Sequence, residues 1–275
     1  SSIIGNFGQI LRSYFIRPYR DREIKISMGK HEIMLNTSGK GFFYAMLDKP
    51  FDETISISAN NKTVELPSHY PILFRQNDSD TEIISDLDDT VLLSHTASAL
   101  KRITTILFYR PKKRKTIAYT HELFKKFKES NYRIIYLSKS ESNLFGLIAS
   151  VLQFQDLPAG PLLLTPFLRL NQLFYPKKGK DYKLNYLRLI MGYLPEKNFV
   201  LLGDDTQRDM DVYTQAAKEF PNQIKKVYIR QTKLVRNAAQ VEKWNNLQAT
   251  GVNAVYFQDT DEVGEEMNKG PVKTE

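Results

Sequence analysis

After residue 80 the chain carries four short apolar runs: Glu82-Ile83-Ile84-Ser85, Arg133-Ile134-Ile135-Tyr136-Leu137, Asn198-Phe199-Val200-Leu201-Leu202 and Lys226-Val227-Tyr228-Ile229. Near-continuous runs of this kind are the mark of strands buried on both faces. Between them, apolar residues recur at helical spacing over Thr120 to Glu129, Asn143 to Leu152, Tyr182 to Tyr193 and Asp211 to Phe220. Strand and helix in alternation predict an α/β domain with a doubly wound, Rossmann-like parallel sheet over residues 79–275. Before residue 80 the period changes. Glu23 to Ser27 and Thr54 to Ser58 alternate, Val64 and Leu66 suggest a further strand, and Asn36 to Gly41 and Asn60-Asn61-Lys62 are turn signals. Closely spaced short strands predict a small β-sandwich-like module in residues 1–78, with the polar stretch Gln76 to Asp80 as the linker. Residues 1–20 interleave Ile10, Leu11, Tyr14, Phe15 and Ile16 with Arg12, Arg17 and Arg20. The spacing fits a basic amphipathic arm, and equally a helix packed on its own domain.

Composition narrows the chemistry. The 275 residues contain no cysteine, which excludes disulfides, thiolate metal sites and cysteine nucleophiles. Four histidines are present (His31, His69, His95 and His121), none at zinc-ligand spacing, so a metal here would rest on oxygen ligands, which favours Mg²⁺. The net charge of +8 and pI near 9.3 point to an anionic partner. No apolar run reaches the ~18 residues of a transmembrane helix. No basic segment followed by an apolar stretch opens the chain, so a cytoplasmic protein is the expectation. The first residue is not Met, which leaves a removed leader open.

In open α/β sheets, functional groups gather at the carboxyl ends of the strands. The first such end is Asp86-Leu87-Asp88-Asp89-Thr90. One carboxylate, Asp86, can attack phosphorus, and a second, Asp88, can protonate the leaving group and then deprotonate water. Two close carboxylates repel, so a divalent cation between them is expected. The second end is Leu137-Ser138-Lys139-Ser140, where a hydroxyl and backbone N–H groups could hold a phosphoryl oxygen. Next comes a helix entry with Lys177, Lys178, Lys180 and Lys183. An ammonium there would offset the acids, with Lys183 preferred and Lys180 second. The last end is Gly203-Asp204-Asp205-Thr206-Gln207-Arg208-Asp209, with acids suited to Mg²⁺, not all of which need bind it directly. Each piece has a plain structural counterpart: an acidic turn, a serine N-cap, solvated lysines, acids at a helix start. The ordered series is what favours catalysis.

These residues resemble the haloacid-dehalogenase-like phosphohydrolase superfamily, with motifs at Asp86/Asp88, Ser138, Lys183 and Asp204/Asp209. Within it the chain looks like the App1-like phosphatidate phosphatases, related to the lipin catalytic domain. The likeness runs through Ile84 to Val91, Tyr136 to Ser140, the Pro158-Ala159-Gly160-Pro161 segment, Val200 to Asp205 and Asp209 to Tyr213, and covers roughly residues 80–230. The chain departs from that pattern at Glu141-Ser142, where Pro-Trp is frequent, and at Asp204-Asp205, where Asp-Ser is common. The resemblance implies a haloacid-dehalogenase-like fold and Mg²⁺-dependent hydrolysis of phosphatidic acid to diacylglycerol. Asp86 would be the nucleophile and Asp88 the acid/base. Ser138 and Lys183 would bind phosphate. Asp86, Asp88, Asp204 and Asp209 would hold the metal.

A lipid substrate finds further support between Thr96 and Lys115. There Ile103, Ile106, Leu107, Phe108 and Tyr109 precede Arg110-Pro111-Lys112-Lys113-Arg114-Lys115, so residues 103–115 are an expected site of peripheral membrane contact. A helix over the sheet followed by a solvated basic loop fits the same pattern. No RNA- or DNA-binding motif is visible, and no specific nucleic-acid partner is expected. Two rival readings stand beside the lipid phosphatase: hydrolysis of a soluble phosphomonoester, and a catalytically weak lipid- or nucleic-acid-binding module.

Overall fold

A computed structural model of the chain describes residues 18–43, 45, 55–65, 70–71, 78–87, 123–166, 182–206 and 208–258. The expected 103–115 contact, Asp88, Lys177, Lys178, Lys180 and Leu66 lie outside these residues, as does the N-terminal arm up to residue 17.

The first strands, β1 (Glu23–Met28), β2 (His31–Asn36), β3 (Ile55–Ala59) and β4 (Lys62–Thr63), form an antiparallel sheet of order β2-β1-β3-β4. Alternation works as it should on β1, where Ile24, Ile26 and Met28 are buried on one face. Asn60 and Asn61 both have positive φ (50° and 59°) in the two-residue turn that pairs Ala59 with Lys62. Asparagine tolerates this left-handed backbone, which suits the twist of a tight hairpin. The hairpin is shorter than its apolar residues suggest. Pairing stops at Thr63, and Val64 is exposed beyond it, although its N–H still donates to the Ile57 carbonyl.

The second sheet has six parallel strands: β5 (Thr81–Asp86), β6 (Arg133–Glu141), β7 (Leu162–Thr165), β8 (Asn198–Asp204), β9 (Ile224–Arg230) and β10 (Ala254–Phe257). Their order is β10-β9-β8-β5-β6-β7. Counted from β5, that is the doubly wound arrangement: the chain builds outward to β7, returns to the other side of β5, and builds outward again. The α/β expectation therefore holds, and the direction reverses between β5 and β8. Helical residues 123–129 follow the first strand. Among the described residues four helices come later: α1 (Phe145–Phe154), α2 (Tyr182–Tyr193), α3 (Asp209–Glu219) and α4 (Ala238–Gln248).

Strand residues point alternately to two cores. Ile83, Ile134, Tyr136, Val200, Leu202 and Tyr228 join Phe124, Phe127, Ile148 and Leu152 on one face. Ile84, Ile135, Leu137, Phe199, Leu201, Val227 and Ile229 meet Leu187, Met191, Val212 and Ala216 on the other. The continuous apolar runs are thus explained, because each strand has no wet face. Two helix starts differ from their expected positions. A 3₁₀ turn, Ser142–Leu144, precedes α1, and α3 begins at Asp209 rather than Asp211.

The Pro158 to Pro161 segment lies at the amino end of this sheet. A Cβ on Gly160 would sit 1.8 Å from the Ile134 carbonyl oxygen, so only glycine allows the close approach. Tyr70 secures it from outside: its hydroxyl donates to the Gly160 carbonyl (2.7 Å) and accepts from the Gly160 N–H (2.9 Å). Burial pushes the Tyr70 phenol up to about 12, with the Gly160 contact opposing, so it stays protonated and able to donate. The Tyr136 hydroxyl donates to the Pro158 carbonyl at 2.8 Å. This segment fastens the β6–β7 connection at the end of the sheet opposite the acids.

Candidate active site

Asp86 ends β5 and Asp204 ends β8, adjacent strands on either side of the point where the winding reverses. Ligands of open α/β sheets bind in the crevice that opens there. Both side chains are buried, as is Asp209 in the first turn of α3. A carboxylate oxygen from each of the three comes within 4.8 Å of the others. Like charges this close disfavour one another, and burial strengthens the effect.

Lys183, in the first turn of α2 and 2% exposed, supplies a counter-charge. Its ammonium lies 2.7 Å from Asp86 Oδ1 and donates to Asp209 Oδ1. Burial alone would lower the lysine pKa, but Asp209 and Asp86 beside it more than reverse this and hold it above the ordinary lysine range. Lys183 is therefore charged, and two of the three carboxylates face it. Lys183, the lysine preferred from the sequence, reaches Asp86 and Asp209. Among the described residues, three carboxylates thus crowd one ammonium.

Gly203 makes the compact arrangement possible. A Cβ there would come 2.6 Å from Asp209 Oδ2 and 2.8 Å from the Tyr213 ring. Tyr213 is itself buried, and its hydroxyl donates to the Leu202 carbonyl at 2.7 Å. Burial first, then Asp209, Asp86 and Asp204, push its pKa well above the usual phenol value, so it carries no charge into the cluster. Asp204 Oδ1 accepts from the backbone N–H and the hydroxyl of Thr206, each at 2.6 Å, which fixes the carboxylate on a tight turn. The Asp209 carboxylate also accepts from the Asp204 N–H at 3.3 Å.

Asp205 goes elsewhere. Its Oδ1 accepts from the Thr232 N–H (3.1 Å) and hydroxyl (2.5 Å), and its Oδ2 from the Tyr256 hydroxyl (2.8 Å). It ties β8 to β9 and β10 and stands outside the three-acid group. Ser138 is nearly buried on β6, next to Leu137, which pairs with Asp86 across the sheet. It lies within the strand rather than after it, because β6 runs on to Glu141, with an irregular register against β7 after Leu137. Its hydroxyl accepts from the Ser140 N–H at 3.0 Å.

Sequence reasoning missed three contributors. Thr206, Gly203 in its packing role, and Arg230, buried as the register partner of Asp204, all belong to this end of the sheet. The Asp204-x-Thr206 spacing is a turn signal that could have found the first. The other two depend on contacts that no local pattern encodes.

The donor set suits a hard cation. Mg²⁺ takes oxygen ligands at about 2.1 Å, usually one or two carboxylates with waters. Asp86 and Asp204, on neighbouring strand ends, and Asp209 beside them could supply those oxygens.

Two curated relatives match the chain. It is 26% identical over 149 residues to "Phosphatidate phosphatase APP1" of Saccharomyces cerevisiae, covering 54% of this chain and 25% of that protein. It is 24% identical over 168 residues to "Uncharacterized protein C29B5.04c" of Schizosaccharomyces pombe, covering 59% of this chain and 26% of that protein. The chain thus spans about a quarter of the length of these relatives. Among solved structures, the "Structure of Pnkp1/Rnl/Hen1 complex" aligns with a TM-score of 0.37 and 16% identity over 66% of this chain and 55% of its own, too distant to bear on the fold. The family model "Phosphatidate phosphatase APP1, catalytic domain" matches residues 81–231, which holds the whole acid and lysine group, and the chain belongs to that family.

Proposed function

We propose that this chain is a Mg²⁺-dependent phosphomonoesterase that works through an aspartyl-phosphate on Asp86, with phosphatidic acid as its substrate and a haloacid-dehalogenase-like catalytic fold. The observation that carries the reading is the Asp86–Lys183–Asp209 contact beside Asp204, buried at the winding reversal of a parallel sheet. A bound Mg²⁺ would supply positive charge against the phosphoryl oxygens.

The residues divide the work. Lys183 faces and orients Asp86, and Asp209 in turn fixes Lys183. An Asp86 oxygen attacks phosphorus, and the bond from phosphorus to the diacylglycerol oxygen breaks. Asp88, placed by family resemblance, gives its proton to that leaving oxygen. Asp88 then takes a proton from water, whose oxygen attacks phosphorus, releasing phosphate and restoring Asp86. Ser138 and Lys183 are assigned to the phosphoryl oxygens.

The reading is tested with Asp86→Asn. Hydrolysis of an aryl phosphate in Mg²⁺ should fall by at least ~10³-fold, the scale of losing a nucleophile, with the circular dichroism spectrum unchanged. Unaltered turnover would remove Asp86 as nucleophile. Phosphatidate in vesicles should also be hydrolysed faster than a panel of sugar phosphates and nucleotides. A soluble ester turned over faster than the lipid would keep the chemistry and discard the lipid.

A further inference from the structure

The connection between β9 and α4 departs from the rest of the described surface. Leu234 is 86% exposed and Val235 is 79% exposed, the most open large apolar side chains among the described residues. They are adjacent in sequence and bracketed by Lys233 and Arg236. Two consecutive aliphatic side chains held in water are costly unless something covers them.

The projection is built rather than loose. The Gln231 side chain donates to the Lys233 carbonyl (2.6 Å) and the Leu234 carbonyl (3.1 Å), propping the turn from beneath. At one foot, Thr232 is bound through its N–H and hydroxyl to Asp205. At the other, Asn237 caps α4 in a reciprocal pair with Gln240. The Arg236 guanidinium lies 4.7 Å from the centre of the Tyr256 ring, and Tyr256 stacks on Trp244 at 5.0 Å. Leu234, Val235, Val241 and Trp244 line one open groove beside this stack.

The connection leaves the carboxyl end of β9, the same end of the sheet as Asp86 and Asp204. Its foot is hydrogen-bonded to Asp205, the residue after Asp204. Whatever covers Leu234 and Val235 therefore sits at the carboxyl end of the sheet, next to the strand that carries Asp204.

We infer that the 231–237 connection, through Leu234 and Val235 with Lys233 and Arg236 beside them, is a docking surface for an anionic phospholipid bilayer. The chemistry selects this occupant. An aliphatic tip enters the acyl boundary while flanking cations remain at the headgroups, and the stems of Lys and Arg are suited to that depth. A net charge of +8 adds attraction to a negative surface. The inference rests on the proposed lipid substrate only for its purpose. Docking itself requires no turnover.

The test uses the full chain and vesicles of phosphatidylcholine with about one third phosphatidylserine, a surface charge in the range that attracts basic segments. Phosphatidylserine is not a phosphomonoester, so the result is independent of hydrolysis. The wild-type chain should co-sediment with these vesicles and not with pure phosphatidylcholine. Trp244, the sole tryptophan, lines the groove, so its emission should shift to the blue on binding and be quenched by brominated acyl chains. Leu234→Ser with Val235→Ser should weaken partitioning by at least about tenfold, and Lys233→Gln should weaken it less and remove part of its salt dependence. Both variants change exposed side chains, and an unchanged melting temperature shows that they fold. The inference is overturned if the wild type ignores the anionic vesicles, or if the double variant binds them as well as wild type. It is also overturned if Leu234 and Val235 instead mediate a concentration-dependent dimer, seen by sedimentation as loss of the dimer in the double variant with no vesicle binding by either protein.

Discussion

At the amino end of the parallel sheet Glu82 meets Arg133 across neighbouring strands at 2.8 Å, and at the carboxyl end Asp86 meets Lys183 at 2.7 Å. Both acids are buried. Glu82 has one guanidinium against it and Lys197 acting on it as well. Asp86 shares Lys183 with Asp209 and lies close to Asp204. Glu82 has two cations to itself, whereas three acids crowd around Lys183. A buried pair that is matched can serve structure alone, whereas acids that crowd one lysine suit a further cation. The contrast separates a structural pair from the candidate site without reference to any relative.

The strongest test of that contrast removes the cation at each end. Lys183→Met should cut aryl phosphate turnover by about 10²–10³-fold and lower stability to urea by about 3 kcal/mol, the usual scale for a buried charge that loses its partner. Arg133→Met should lower stability by a similar ~3 kcal/mol and leave turnover per folded molecule unchanged. Equal losses of turnover in the two variants would erase the distinction.

A smaller effect probes the amino end as a joint. Gly160→Ala places a carbon on the Ile134 carbonyl, which has no room to retreat inside the sheet. Unfolding should become easier by about 3 kcal/mol, while Km for the aryl phosphate stays constant. A neutral result in urea would mean that the segment is not the fastening described.

Least in size is the removal of one carboxylate from each end. Asp204→Asn relieves repulsion, so the metal-free chain should gain about 1 kcal/mol of stability and lose any rise in melting temperature on adding Mg²⁺. Glu82→Gln should retain that Mg²⁺ response. Burial holds the Glu82 pKa above its ordinary 4.5 despite Arg133 and Lys197. Its contribution is therefore full below 4.5 and is lost as pH rises through the folded value, so wild type should gain on Glu82→Gln as the solution is acidified. Calorimetry across pH and Mg²⁺ concentration reads both. A Mg²⁺ response surviving in Asp204→Asn and lost in Glu82→Gln would reverse the assignment of the ends.

Much of the α/β half was legible because its strands have two dry faces, and a continuous apolar run records that directly. α2 was read to its last residue for a similar reason: Leu184, Leu187, Ile190 and Met191 keep a buried stripe. α4 was missed because only Gln240 and Leu247 are buried on it, too little for a periodic signal. β7 and β10 are four residues each at the sheet edges, and β2 buries no residue outright. In the site, Asp86, Lys183, Asp204 and Asp209 were legible as strand ends and helix starts. The departure of Asp205 was not, since Thr232 and Tyr256 reach it from distant parts of the chain. Nor was the placement of Pro158 to Pro161, which read as part of a family signature and turns out to brace the opposite end of the sheet.

The strand order has a consequence for how the chain comes into being. β5 is made early and its neighbour β8 late, with β6 and β7 between them in time. A sheet of such long-range pairings folds slowly, and on the ribosome its first strand waits for its last partners. Asp86 is therefore exposed as an ordinary acid long before Asp204 and Asp209 exist to crowd it. The charge conflict arises only when β8 and the start of α3 dock beside β5, so any divalent-cation site these acids form would be assembled late in folding, and cation binding would time that step.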